Sequence, residues 1–388
     1  MCKRHWHSTS SLPILVLVVV AAFTAASTFL TTLGIGGSVA GAAVASGWQQ
    51  EWERTVAAAK KEGKVVIFGP PGERSRTAFE GEFKKAFPGI SVEYSGGWGP
   101  AHVPKILEAR QAGRYLADIY ISGPEPGLSA LKGIGMMQEL MPALILPEVK
   151  DPKNWWLGKL DFIDKEKRYY LAFWAYPSGP FLYNTEKVNS GEIKSWWDIV
   201  QPKFKGKIAM YDPLVPGSML PQLNFFFQTP ELGEKYIRAL LDPGLGAVST
   251  RDDRQLAEWV GRGTYWFGLG ALWLSAAPLA KVLPVRAFPS DLKEGERFTS
   301  GFGNVAILTG APNRNAAIVY VNWLLSRAEQ TTITEIAEQP SGRVDVPQDA
   351  VPNPYRRKPD MKVFIEYYEE IMAGREKAVA IAEEVMGR

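Results

Sequence analysis

Cysteine and histidine are nearly missing from this chain of 388 residues, which has one cysteine and three histidines. Cys2, His5 and His7 lie at the very start, so His102 is the only imidazole in the rest of the sequence. That part cannot form a disulfide framework, a zinc site of Cys and His, or a cysteine nucleophile. A Ser-His-Asp triad would have to use His102, and the chain contains no Gly-x-Ser-x-Gly elbow and no phosphate-binding Gly-x4-Gly-Lys-Ser/Thr loop.

The chain also has little excess charge of either sign, because its 44 Lys and Arg residues are nearly balanced by 41 Asp and Glu residues. A near-neutral chain without basic clusters has no electrostatic footprint for nucleic acid, so we expect no nucleic-acid partner. The adjacent acids Asp252 and Asp253 could support hydrolysis, but such a pair in a loop is more typical of a solvated turn. An exported hydrolase or lyase with a carboxylate pair in its cleft stays open as a weaker hypothesis.

The N-terminus has the pattern of an export signal. Basic residues 3–5 precede an apolar stretch at 12–33, and residues 43–45 fit a small-x-small cleavage site. We predict that residues 1–45 are a signal peptide and that the mature chain is periplasmic. The apolar stretch is also close to the length of a membrane span, so an uncleaved anchor and a ligand-sensing role stay open. Cys2 precedes the apolar stretch, which disfavours attachment by lipid.

Strand and helix patterns alternate between Lys64 and Leu140. Apolar or alternating runs predict strands at 65–68, 90–94 and 117–121, and one-sided apolar stripes predict helices at 77–87 and 103–112. Loops rich in glycine, proline or serine follow each strand. Because ligands in open α/β sheets bind beyond the carboxyl ends of the strands, the pattern predicts three binding loops within roughly 60 residues.

Motifs along the chain resemble a known family. Arg110-Gln111-Ala112-Gly113-Arg114 followed by Ala117-Asp118-Ile119 resembles the R-x-A-G-x-x-x-A-D-V signature of the ferric-iron-like extracellular solute-binding proteins. Further segments resemble that family in the expected order, namely Leu182-Tyr183-Asn184-Thr185, Ser195-Trp196-Trp197-Asp198-Ile199, Phe204 to Pro213, and Val305 to Ser326. The resemblance spans roughly Lys64 to Gln330 and leaves the last part of the chain uncovered.

The resemblance implies an α/β fold of the type II periplasmic-binding-protein class, with two lobes, a hinge and an interlobe ligand cleft. Lobe 1 is expected to take residues 46–172 and 286–335, and lobe 2 residues 173–285. Residues 336–388 are expected to form a tail that packs on the lobes, with an amphipathic helix from Met361 to about Met386.

The implied function is that of the binding component of an ABC importer. Such a protein captures a small polar organic solute by hinge closure and delivers it to a permease in the inner membrane. We expect it to act as a monomer, without a cofactor and without catalysing a reaction.

Ferric iron stays open as an alternative ligand, because iron-binding members of the family resemble one another in a pair of neighbouring tyrosines late in the second lobe. At the matching place this sequence has Leu272-Trp273. The pairs Tyr169-Tyr170 and Tyr367-Tyr368 are expected to be packing residues, the first in a hairpin strand and the second on a Glu-rich helix. The sequence therefore departs from the iron-binding pattern, and we predict no metal site.

Candidate ligand-binding residues lie in loops near the predicted strand ends. The aromatic candidates can stack on rings or quaternary amines, although Trp98 and Trp174 are equally suited to a core. Among the polar candidates, Arg74 suits a carboxylate or phosphate, Asp212 an amine, and Ser218 a helix cap that also contacts an anion. The full set is Arg74, Trp98, Ser122, Trp174, Tyr176, Tyr211, Asp212, Ser218, Arg251 and Trp266.

Overall fold

A computed structural model describes residues 47–179, 181–215, 217–271, 273–289 and 291–387. The predicted signal peptide lies outside these residues, as does Leu272. Within the described ranges, no helix is both long and apolar enough to cross a membrane.

Short strands and helices alternate along the chain. The helices are α1 Gly47–Glu62, α2 Glu73–Arg76, α3 Glu82–Ala86, α4 Gly99–Gln111, α5 Pro147–Lys150, α6 Trp196–Ile199, α7 Met219–Gln228, α8 Gly233–Leu241, α9 Asp253–Gly261, α10 Trp273–Ala276, α11 Arg314–Leu324, α12 Arg327–Ala337, α13 Glu369–Met372 and α14 Arg375–Met386. The strands are β1 Lys64–Gly69, β2 Ser91–Gly96, β3 Ile119–Ser122, β4 Asp161–Phe162, β5 Leu171–Ala172, β6 Tyr176–Pro177, β7 Phe181–Asn184, β8 Ile208–Tyr211, β9 Val248–Thr250, β10 Phe267–Leu269, β11 Val285–Ala287, β12 Glu296–Thr299, β13 Asn304–Ile307 and β14 Val363–Ile365.

The first sheet confirms the predicted β-α-β-α-β run. Its strand order is β2-β1-β3-β13-β5-β4, and β1 pairs in parallel with both β2 and β3. A π-helical turn at Thr77–Gly81 joins α2 to α3, so one continuous helical stretch follows β1. The predicted aromatic stripe explains its packing, because Phe79 and Phe83 are buried in the core against this sheet.

The second sheet has the order β11-β7-β10-β8-β9. Strands β8, β9 and β10 run parallel to one another, whereas β7 runs antiparallel to β10 and β11. A separate buried cluster covers this sheet, formed largely by aromatic and aliphatic side chains of α6, α7, α8 and α14. Because β11 pairs within this sheet, the lobe boundary placed at residue 286 falls inside a strand; the other lobe boundaries stay a prediction.

Two hinge strands connect the sheets. β6 lies between β5 and β7 in the chain, β12 lies between β11 and β13, and the two pair in antiparallel fashion, with Thr299 opposite Tyr176. The chain therefore crosses twice between the sheets, and the two crossings support each other by a short ladder.

The tail, residues 336–388, differs from its prediction. Val363–Ile365 forms β14, which pairs in parallel with hinge strand β12, so strand β14 and the two helices α13 and α14 take the place of the single helix predicted from Met361. Local apolar periodicity cannot reveal this strand, because its partner lies 67 residues earlier in the sequence (Glu296 opposite Val363). The tail thus adds a third strand to the hinge.

Candidate functional site

The crossings join the carboxyl edges of the two sheets. Asn304, the first residue of β13, pairs with Ser122, the last residue of β3, and with Ala172, the last residue of β5. Strands β3 and β5 therefore end at the edge of the sheet where β13 begins. In the second sheet, β7 begins where β10 ends, with Phe181 opposite Leu269. Both crossings therefore run from one carboxyl edge to the other. We call the strand-end loops of the first sheet the first edge and those of the second sheet the second edge.

Trp98, in the loop after β2, and Ser122, the last residue of β3, both lie at the first edge. Trp98 is 54% exposed and contacts Phe302, which is 39% exposed, with ring centroids 5.0 Å apart. Ser122 is buried beside them, and its carbonyl accepts hydrogen bonds from Tyr170 Oη at 2.8 Å and Asn304 Nδ2 at 2.8 Å. These bonds fix the end of β3 under the aromatic side chains.

His102 lies in the first turns of α4, between two first-edge loops. Its Nε2 is 3.1 Å from the carbonyl of Gly69, the last residue of β1, and its ring packs on Phe68 with centroids 4.8 Å apart. A Cβ on Gly97 would stand 2.9 Å from the imidazole, so this loop position requires glycine. Burial lowers the pKa of His102, which favours the neutral ring.

Asp212 and Arg251 meet at the second edge. Arg251 Nε donates to Asp212 Oδ2 at 3.0 Å, and the Asp212 carboxylate also accepts from the Leu214 amide. The Asp212 side chain is 5% exposed whereas that of Arg251 is 68% exposed. The buried carboxylate therefore orients a largely exposed guanidinium, a group that suits recognition of a carboxylate or phosphate.

Tyr211 and Ser218 belong to the same edge, but Ser218 does not make the predicted capping hydrogen bond, and its contact with an anion stays a prediction. The Tyr211 ring packs so closely on Gly217 that a side chain there would clash. Ser218 Oγ donates to the carbonyl of Gly270 and makes no capping hydrogen bond to α7. Its hydroxyl is committed to joining the loops after β8 and β10, because that carbonyl lies at the end of β10.

Two aromatic candidates, Trp174 and Tyr176, lie at the hinge. Trp174 is only 5% exposed and packs against Phe79 and Phe173, so its alternative role as a core residue is the correct one. Tyr176 is half-buried in hinge strand β6, where burial raises the pKa of its phenol, and its ring packs edge-on against Tyr355.

Trp266 and Arg74 are not brought to the Asp212 group. Trp266 precedes β10 and its amide donates to Lys207, so it lies at the start of the parallel strands, at the opposite side of the sheet from Asp212. The prediction for Trp266 is therefore wrong. Arg74 is exposed at the start of α2, beyond the end of β1, and pairs with Glu338 at 3.3 Å.

Phe302 and His102 are the residues that the sequence did not assign to the site. Phe302 stands between two glycines just before a strand, which is the available signal, but only the structure shows that its ring is exposed and contacts Trp98. His102 follows Trp98 by one helical turn, and its contact with Gly69 depends on the pairing of β1 with β2.

Two open cavities of about 530 and 540 Å³ lie elsewhere on the surface. The first is lined by Tyr183 and residues 185–190, beyond the end of β7 and so on the side of the sheet away from the second edge. The second surrounds Lys132, whose ammonium pairs with Glu166 at 2.6 Å and Glu369 at 2.9 Å. Neither adjoins the strand-end loops.

Metal-ligand chemistry is sparse. In the described ranges, no group of three His, Cys, Asp or Glu side chains lies close enough together to hold a metal ion. Tyr367 and Tyr368 lie before α13, not on the predicted helix, and both hydroxyls donate to the Asp161 carboxylate at 2.6 and 2.7 Å. This tyrosine pair therefore joins the tail to the first sheet.

Comparisons with known proteins agree with this architecture. The chain matches 26% of positions over 170 residues with a putative 2-aminoethylphosphonate-binding periplasmic protein of Salmonella typhimurium, covering 43% of this chain and 50% of that protein. It is 30% identical over 162 residues to an uncharacterized protein of Haemophilus influenzae, covering 39% of this chain and 43% of that one. The chain thus spans about half the length, or less, of these curated relatives.

Solved structures show the same two-lobed fold. An open ferric iron-binding protein A of Mannheimia haemolytica superimposes with a TM-score of 0.65 at 14% identity, covering 83% of this chain and 98% of that one. The fructose-6-phosphate-bound periplasmic protein AfuA of Actinobacillus pleuropneumoniae gives a TM-score of 0.57 at 19% identity, covering 84% and 99%. The family model of the bacterial extracellular solute-binding proteins matches residues 78–363, about three quarters of the sequence, and the chain belongs to this family.

Proposed function

We propose that this chain is the periplasmic solute-binding component of an ABC importer, and that its cargo is a small polar organic solute with an anionic group. The observation that carries the proposal is the exposed Arg251 guanidinium, held by buried Asp212 at an edge that both crossings join to the first edge. A solute between the edges would be bound from both sides, so its binding favours hinge closure.

The relatives support the choice of an anion. The Salmonella relative is named for an aminoalkylphosphonate, and AfuA was solved with a sugar phosphate bound. Both solutes carry a phosphorus oxyanion, the geometry that a guanidinium binds through paired hydrogen bonds. Delivery to a permease follows from membership of the family and is part of the proposal.

Thermal unfolding of the purified exported chain against a solute library tests the proposal. The library includes phosphonates, sugar phosphates, carboxylates, polyamines, thiamine, small sugars and ferric citrate. A solute that binds only the folded form adds about 2.7 kcal/mol of stability at a hundredfold excess over Kd. We expect at least one organic anion to raise the midpoint and to be recovered chemically unchanged.

Other outcomes would overturn the proposal in distinct ways. A shift with ferric citrate alone would support the iron alternative, and conversion of the bound solute would support an enzyme. A retained N-terminal anchor, found by mass spectrometry of the membrane fraction, would favour a ligand sensor that reports to a membrane receptor.

A further inference from the structure

Trp98 and Phe302, here called the aromatic pair, are unusual among the apolar side chains of the described residues. Single exposed apolar side chains are common on any protein, but these two are large, exposed and in mutual contact at the first edge. Their ring planes are inclined by 50°. Together they leave a continuous aromatic surface facing solvent where a ligand would enter.

The aromatic pair spans strand ends that are not neighbours. Trp98 follows β2 and Phe302 precedes β13, and the sheet order places β1 and β3 between those strands. Three strand spacings of about 4.8 Å separate the two backbones by roughly 14 Å, and the rings close this gap. A Cβ on Gly123 would already touch the Phe302 ring at 4.0 Å, so the pair lies directly over the end of β3.

The loop that carries Phe302 is fitted to the hinge. A Cβ on Gly303 would stand 2.5 Å from the Trp174 side chain, and a Cβ on Gly301, which has φ 52°, would collide with the Tyr176 hydroxyl. Glycines on both sides of Phe302 therefore let the loop press against the other crossing. Because the loop belongs to one crossing and packs on the other, the position of the Phe302 ring depends on the hinge.

We infer that the aromatic pair binds the flat face of a ring in the solute, so that the preferred cargo is a ring-bearing anion and not a short acyclic one. This inference rests on the proposed function and specifies its substrate class. Aromatic faces bind the C–H faces of sugar rings and the faces of heteroaromatic rings, while an acyclic chain of two or three atoms covers little of two side chains. The anionic group of the solute would then bind to Arg251 at the second edge.

The experiment compares ring and acyclic anions that carry the same charged group. Glucose 6-phosphate is measured beside glycerol 3-phosphate, glucuronate beside glycerate, and nicotinate beside propionate, by thermal shift and then by calorimetric titration. We expect a ring compound to bind at least about tenfold more tightly than its acyclic counterpart, since aromatic contacts and burial of the ring face both contribute.

Variants of the aromatic pair separate stacking from simple apolar contact. Phe302→Ala and Phe302→Leu are expected to weaken the ring anion by about tenfold and about threefold, with no change for the acyclic member. Trp98→Phe removes the fluorescence change that accompanies binding of the ring. Tyr115→Leu is the matched control, because Tyr115 is 46% exposed and precedes β3, at the opposite side of the same sheet.

The results distinguish failure of this inference from failure of the proposed function. An acyclic anion that binds as tightly as its ring partner, or a ring anion whose affinity is unchanged in Phe302→Ala, would overturn the inference and leave capture of an anion intact. If neither the ring anions nor the acyclic anions shifted the unfolding midpoint, both the inference and the proposed function would be overturned.

Discussion

Arg297 of hinge strand β12 and Glu366 of the tail form an ion pair whose side chains are only 10% and 8% exposed. Arg297 Nε also donates to Gln222 of α7 at 3.3 Å. The pair therefore fastens the tail to the hinge and connects both to a helix of the second sheet. A charge left alone at this site would be poorly solvated.

Breaking this pair should destabilise the protein strongly. Glu366→Gln or Arg297→Met is expected to lower the free energy of unfolding by about 3 to 5 kcal/mol, because each leaves one buried charge unpaired, whereas the double variant Arg297→Met/Glu366→Leu should recover most of the loss. Urea unfolding measures all three. Glu231→Gln, which breaks the exposed Lys362–Glu231 pair, is the control and should change the free energy of unfolding little. If Glu366→Gln lowered the free energy of unfolding no more than Glu231→Gln does, the buried pair would not be needed for stability.

Arg251 should determine the affinity for an anionic solute. Arg251→Ala is expected to weaken binding by at least about tenfold, since a charge-assisted hydrogen bond is worth about 1.5 to 3 kcal/mol. Because this variant also leaves the buried Asp212 carboxylate without its guanidinium partner, binding is compared at a temperature where the variant is folded. Calorimetric titration with the best library solute measures the effect. Arg254→Ala is the control: Arg254 lies three residues further on, is 79% exposed and pairs with Glu258 on its own helix. Equal losses in the two variants would contradict a specific role for Arg251.

The neutral state of His102 predicts a loss of stability in acid. Burial depresses its folded-state pKa below the usual 6.5, and Lys105 acts in the same direction, so the unfolded chain takes up the proton first. The stability that neutral His102 contributes is fully present above about pH 6.5 and is lost as the pH falls towards the folded-state pKa. His102→Gln retains a donor for Gly69 and should make the unfolding free energy less dependent on pH between 7.5 and 5. Identical pH profiles for the two proteins would contradict this account.

Glu329 predicts the opposite pH dependence. This side chain is 6% exposed in α12, and burial raises its pKa from 4.5 to about 9, with the Glu82 carboxylate adding to the shift. The stability that buried, neutral Glu329 contributes is fully present below about pH 4.5. It is lost as the pH rises towards 9, because the folded state must either hold a proton that the unfolded chain has released or bury a charged carboxylate.

Glu329→Gln should therefore stabilise the protein at pH 8 by about 1 kcal/mol or more and have little effect at pH 4.5. Urea unfolding at the two pH values measures the difference. Glu335→Gln, an exposed position on the same helix, is the control and should show no such contrast. A stabilisation of equal size at both pH values would show that the buried charge is not its cause.

The sequence predicts the first sheet well because its strands and helices alternate locally. The stripe of Phe79 and Phe83 and the glycine-rich loops need no distant partner to be recognised. The hinge strand at Val363–Ile365 was missed for the opposite reason, since only pairing with a distant strand makes it extended. Local signals therefore predict elements better than they predict how the tail closes the fold.

The candidate site was predicted in part for related reasons. Asp212 and Arg251 follow parallel strands, so their meeting could be expected from strand direction alone. Trp266 precedes β10 and lies at the opposite edge of the sheet from Asp212, and its prediction was wrong because strand β10 was not predicted from the sequence. Phe302 could not be assigned from sequence, because a sequence does not show which aromatic residues stay exposed.

Closure of the two edges around a solute is the central claim, and the distance between the edges tests it most directly. Spin labels at Glu73→Cys and Arg254→Cys would stand at the starts of the helices that follow β1 and β9, one on each edge, and the only native cysteine lies at position 2. Cys2→Ser removes that thiol from any uncleaved chain. With the best library solute added, pulsed electron resonance should show a shorter distance between the labels, with a smaller change in an Arg251→Ala background. An unchanged distance at saturating solute would contradict capture by hinge closure.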